Sequence, residues 1–129
     1  MRTKLAVVLI LIATALLRVH LANTPLERDE GEYAYAGQLM LEGIPPYSLA
    51  LNMKLPGTYA MHALMMAALG QTIVGIHIGL LLVNAACIWI VFLIGRRVIG
   101  ENGAVAAAVA YAALAVSPAV AGMASHATQ

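Results

Sequence analysis

The amino-acid sequence predicts an all-α integral membrane protein with three spans and a large polar loop on one side of the bilayer. Three observations carry this. Hydrophobic residues make up 62% of the chain and charged residues only 10%, where a soluble domain carries about a quarter. Predominantly apolar stretches lie at 5–22, 72–94 and 103–120, near the roughly 20 residues that a helix needs to cross the hydrocarbon layer. The charges are also segregated: five of the six acids fall between Glu27 and Glu42, while Arg2, Lys4, Arg96 and Arg97 flank the apolar runs.

Taken in order, 5–22 is apolar apart from Arg18 and His20. Cleavage as a signal peptide after Ala22 would put His20 where a small residue is required, so an uncleaved anchor is the better reading. Arg18 and His20 are expected to reach headgroups. The basic N-terminus places that end in the cytoplasm, and the acidic loop 23–71 outside. Residues 57–70 form a fourth apolar stretch. If they crossed, Arg96-Arg97 would be left outside, so 57–70 is predicted to lie at the outer interface, with Tyr59 and His62 at that level. Span 72–94 is the strongest, interrupted by His77 and Asn84, which are expected to hydrogen-bond another helix. The alanine-rich 103–120 follows a short inside loop, GRRVIGEN. Gly75, Gly79, Gly103 and the alanines allow close helix contact. All of 1–129 reads as one membrane domain, whose thin bundle fits a piece of a larger protein or a subunit with membrane partners.

Composition excludes some functions. No basic tract is long enough for nucleic acid. The lone Cys87 has no internal disulfide partner and reads as a packed or lipid-facing thiol.

The loop is where chemistry concentrates: RDEGEYAYAGQLMLEGIPPYSLALNMKLPG, residues 28–57, holds four of the six acids and three of the five tyrosines. Two helix starts overlap in it, Thr24-Pro25-Leu26-Glu27 and Asp29-Glu30-Gly31-Glu32. The second is preferred because Gly31 weakens the interior of a longer helix, giving a helix over 30–42 that ends before Gly43 and Pro45-Pro46. Tyr33, Ala36, Gly37 and Met40 then share one side. Asp29, at the helix mouth, is either a simple N-cap or a functional carboxylate. Asp29, Glu30 and Glu32 suit a hard divalent cation and equally a solvated acidic surface; the spacing is no metal motif. Lys54 is the only lysine outside the N-terminus. It is either a snorkelling side chain or the point charge for an anionic phosphate. A lysine and a carboxylate on one side of the bilayer fit a phosphate-linked substrate: the cation neutralises the leaving phosphate, and the carboxylate takes the proton of an acceptor hydroxyl.

The order of these pieces, an N-terminal span, RDEGEYAYAGQLMLEGIPPY, NMKLPGTYAMHALMMAALG and a long span ending LIGRRVIG, resembles the opening portion of a GT-C glycosyltransferase. The nearest group uses polyprenyl-phosphate sugars and includes the dolichyl-phosphate-mannose–protein mannosyltransferases and the bacterial aminoarabinose transferases of lipid A. The resemblance implies two surface helices in the first outer loop, and a lipid-linked sugar donor as partner. It implies Asp29 as the base or organiser of the acceptor site, Glu30 beside it as a second catalytic acid, and Lys54 on the lipid phosphate. Aminoarabinose transferases usually carry Glu directly before that lysine. Met53 stands there in this chain, which argues against the lipid A activity. The alternative is a non-catalytic membrane subunit or scaffold, whose acidic loop and glycine-rich faces bind other membrane proteins.

Overall fold

The computed structural model describes residues 2–50 and 54–116. They form five helices: α1 Arg2–His20, α2 Arg28–Leu41, α3 Pro56–Leu69, α4 Ile73–Val98 and α5 Gly100–Ala115. Two of them, α1 over Thr3–His20 and the 26-residue α4, are long and apolar enough to cross a membrane. Only 11% and 33% of these stretches are buried, where the core helix of a soluble protein would be mostly enclosed. The described part of the third predicted span, 103–116, is helical within the 16-residue α5 up to its C-cap Val116. Positions 117–120, Met53 and His126 lie outside the described residues.

The chain divides into two compact units, one holding α1, α4 from Leu80 onward and α5, the other running from Ala22 to Gly79. The first has a core of Val7, Ile88, Phe92, Ala104, Ala108 and Ala112. The three alanines recur every fourth residue, so α5 presents a stripe of methyl groups and lets its neighbours approach closely. At Gly95 a Cβ would stand 2.9 Å from the Ala104 Cα, which is why α4 carries glycine there. Asn84 donates to the Leu80 carbonyl at 2.9 Å, and its Oδ1 accepts from the Tyr111 hydroxyl of α5 at 3.4 Å. The expectation that Asn84 bonds another helix is met in this way. Arg18 departs from expectation: rather than reaching outward it is only 6% exposed, and Nη2 donates to the Ala115 carbonyl. A cation there answers the negative end of the α5 dipole. The segment GRRVIGEN, predicted as a loop, is mostly helical, because α4 continues through Arg96-Arg97 and Gly100, at φ 78°, turns the chain directly into α5.

In the second unit α2 begins earlier than predicted. Glu27 is the N-cap, and its N–H donates to Glu30 Oε2 at 3.4 Å. Asp29 is therefore inside the first turn and not the cap. The preference for the later start fails because Glu30 at the third position can close back on Glu27, while Gly31 is tolerated in the helix interior. The C-terminus is as expected. Gly43 adopts φ 82°, its N–H donates to the Met40 carbonyl at 3.1 Å, and Ile44 N–H donates to Leu39 at 2.9 Å. Pro56 opens α3 at its first helical position. The side of α2 bearing Tyr33, Ala36 and Gly37 lies against α3, burying Tyr33, Ala36 and Tyr59 together with Met40 packed beside them. The start of α4 is capped by Thr72, whose hydroxyl accepts from Gly75 N–H at 3.0 Å. Gly75 is needed because a Cβ there would fall 2.9 Å from the Leu69 carbonyl, and a Cβ at Gly79 would meet Met65.

Candidate functional site

The Ala22–Gly79 unit buries an unusual set of polar side chains: Tyr33 at 0%, Tyr59 at 1%, Glu30 and His62 each at 2%, and His77 at 9% exposure. Adjacent helical residues point about 100° apart, and the neighbours Asp29 and Glu30 go different ways. Glu30 turns inward, its Oε2 3.5 Å from His77 Nε2. His77 Nδ1 lies 2.9 Å from the Ala22 carbonyl. A carbonyl only accepts, so Nδ1 carries the ring hydrogen and Nε2 faces the carboxyl group. Both side chains are almost wholly buried at this contact, so water does not screen it. It ties the first turn of α2 to the start of α4.

Asp29 is partly exposed and stands one turn before Tyr33. The Tyr33 hydroxyl is fully buried, and a side-chain hydrogen bond with Asp29 is among the causes that raise its pKa. Burial first, and then the charges of Asp29 and Glu32, push this phenol above the ordinary value of 10.0. The Tyr33 ring lies 6.3 Å from Tyr59 and 5.6 Å, edge-on, from His62, and Tyr59 is 5.8 Å from Tyr47. The Tyr47 hydroxyl donates to the Lys54 carbonyl at 2.6 Å. Tyr47 holds φ 69°, a conformation costly for a bulky L-residue. Its hydroxyl bond and its ring contact with Tyr59 hold it there. Lys54 is half-buried just ahead of α3. Asp29 thus stands at one end of a run of tyrosines and Lys54, through its backbone carbonyl, at the other, while Glu30 contacts His77. Among the described residues no three His, Cys, Asp or Glu side chains are grouped to hold a metal ion.

Tyr33, Tyr47 and Tyr59 are the residues that sequence reasoning undervalued. Their signal was the tyrosine density of 28–59, but which of them meet depends on how α2 lies on α3. His77, expected to bond another helix, does so through Glu30 of α2 at 3.5 Å, with its Nδ1 also 2.9 Å from the Ala22 carbonyl.

His62 is buried and packs edge-on against Tyr33. Burial lowers it below the ordinary 6.5, against the smaller upward effects of the Thr58 carbonyl, 2.9 Å from Nδ1, and of the Glu30 carboxylate. Its contribution to stability is complete above 6.5 and is lost as pH falls toward its lowered folded value. Tyr33 and Tyr59, both raised chiefly by burial, contribute fully below 10.0 and lose that contribution as pH rises above it. The titration of these three groups therefore limits a plateau of stability at about pH 6.5 on the acid side and about 10 on the alkaline side. Denaturant midpoints measured from pH 5 to 11 check this, and a midpoint still rising above pH 10 would contradict it.

Fold and site together define an all-helical protein with two helices of membrane-crossing length and a buried acid–histidine–tyrosine cluster. No protein-family model, curated protein or solved structure matches the chain.

Proposed function

We propose that this chain forms part of a membrane glycosyltransferase that moves a sugar from a polyprenyl-phosphate carrier to an acceptor hydroxyl on the extracytoplasmic face. The observation that carries the reading is the run Asp29–Tyr33–Tyr59–Tyr47–Lys54, with a partly exposed carboxylate at one end, a half-buried lysine at the other, and the buried Tyr33 phenol beside the acid. In this reading Asp29 accepts the proton of the acceptor hydroxyl. The acceptor oxygen bonds to the anomeric carbon from the side opposite the carrier, and the bond from that carbon to the phosphate oxygen breaks with inversion. Lys54 neutralises the departing lipid phosphate. Glu30 acts through the pair with His77, holding the turn that aims Asp29. The N-terminus is cytoplasmic, 23–71 is extracytoplasmic, and α5 contributes to a third crossing. The resemblance to GT-C enzymes and the positions of Arg96 and Arg97 support that topology.

The test uses the longest native product containing this segment, in lipid, with labelled polyprenyl-phosphate sugars. Asp29→Asn is expected to lower transfer about a hundredfold or more while donor binding persists, in line with loss of a positioned base. Lys54→Ala is expected to weaken donor binding at least ~10-fold, the scale of a lost charge-assisted contact. Unchanged donor binding in both variants, with no transfer from any donor, would sink the enzyme reading and leave a membrane scaffold.

A further inference from the structure

At the far end of α4 a groove of about 620 Å³ is lined by Ile90, Leu93, Ile94, Arg96, Arg97 and the first residues of α5. It is separate from the loop site and has no part in the proposed transfer. Ile90, Leu93, Ile94 and Arg97 are spaced three, four and seven apart and so form one stripe along the helix. The stripe is apolar for a turn and then ends in a guanidinium. Ile90, Leu93 and Ile94 are 51%, 41% and 58% exposed, so none of the described residues covers them.

The charges at the polar end are not equivalent. Arg96 pairs with Glu101 at 3.4 Å, and its guanidinium lies 5.6 Å from the centre of the Phe92 ring. Glu101 also accepts from the Thr3 hydroxyl at 2.8 Å. The one acid of the groove is thus engaged by Arg96 and Thr3, and Arg97 has no ion pair among the described residues. Two guanidinium groups face one carboxylate, and the N-terminus of the 16-residue α5 adds the positive end of its dipole. An apolar stripe ending in surplus positive charge, at the end of a membrane-length helix, complements one kind of molecule. We propose that this groove binds a single anionic phospholipid, its phosphate held by Arg97 and Arg96 and the upper part of one acyl chain lying along Ile94, Leu93 and Ile90. The volume accommodates a headgroup and the first carbons of a chain, with the remainder continuing in the bilayer. This rests on α4 spanning a membrane and not on the glycosyl-transfer reading.

The experiment is native mass spectrometry of the full chain released from neutral detergent, supplied with equal phosphatidylglycerol and phosphatidylcholine of identical tails. One phosphatidylglycerol is expected to be retained in preference. Arg97→Gln is expected to cut that preference about fivefold, the worth of one basic residue at an anionic surface. Lys4→Gln removes an equal charge from the first turn of α1, outside the groove, and is expected to leave it unchanged. Glu101→Gln removes the competing acid and is expected to raise the preference, which keeps the proposal testable should Arg97→Gln lose its helical circular dichroism. Equal retention of the two lipids, equal losses in Arg97→Gln and Lys4→Gln, no rise with Glu101→Gln, or displacement of the lipid by millimolar inorganic phosphate would each overturn it. Retained lipid preference in a chain without transferase activity would leave this inference standing alone.

Discussion

Alanine in place of Glu30 is expected to destabilise the Ala22–Gly79 unit by about 3–5 kcal/mol, the cost of removing one partner from a buried pair. Side-chain exposure at the contact is 2% for Glu30 and 10% for His77, so water cannot replace what is lost. Glu30→Ala takes from His77 Nε2 its facing carboxyl group and from the Glu27 N–H its acceptor. His77→Ala is expected to cost as much for the converse reason, since it leaves a carboxyl group buried without the imidazole. Total stabilities of domains this size lie at roughly 5–15 kcal/mol, so either variant approaches the limit of folding. The double variant Glu30→Leu/His77→Leu is expected to recover a substantial part, because replacing both members of a buried pair with apolar groups removes the unpaired charge. Denaturant titration in micelles, followed by near-ultraviolet circular dichroism of Tyr33 and Tyr59, reports on this unit. Single variants within 0.5 kcal/mol of wild type, roughly the effect of an ordinary surface substitution, would show that the pair is not structural.

The second large effect is expected at Gly37. A Cβ there would lie 2.9 Å from the Ala63 nitrogen and 3.0 Å from the Tyr59 carbonyl oxygen, both backbone atoms of α3. Side chains can rotate away from an added group, but a helix backbone cannot. Gly37→Leu must therefore separate α2 from α3 and open the contact of Tyr33, Ala36 and Tyr59. The expected loss is at or above the upper end of the ~1–3 kcal/mol typical of overpacking. Gly37→Ala should lose less, since the intrinsic helical gain of about 1 kcal/mol partly offsets the clash. Gly31 is the internal control. It sits in the same helix, and a Cβ there meets nothing within 4 Å. Gly31→Ala is accordingly expected to stabilise by up to about 1 kcal/mol. Thermal melts of the three variants should give opposite signs for the two glycines. A stabilising Gly37→Leu would refute the close approach of α2 and α3.

These two predictions depend on features of different legibility. That 28–41 is helical and ends at Gly43 could be read locally, because capping, φ > 0 at glycine and the Pro45-Pro46 stop act within a few residues. The start of α2 was harder. Two capping boxes overlapped, starting at Thr24 and Asp29, and the observed cap, Glu27, opens neither of them, because Glu30 closes back on it. Glu30 looked like one of three surface acids because its partner is 47 positions away, at His77. Arg18 looked like a headgroup contact for the same reason, since the carbonyl it meets belongs to Ala115.

What the sequence determined by itself is what short-range chemistry governs: helical class, two apolar stretches of membrane-crossing length, the polar loop between them, and the turn residues that end its helices. Hydropathy and capping need no knowledge of distant neighbours. Which polar groups are buried, and against what, was settled only by the tertiary structure. The close approach permitted by Gly37 sets α2 on α3 and so gathers the tyrosines, and the buried contact of Glu30 with His77 fixes the turn that carries Asp29. Such contacts join residues far apart in the chain, and their energies depend on a low-dielectric surrounding that exists only once the unit has folded.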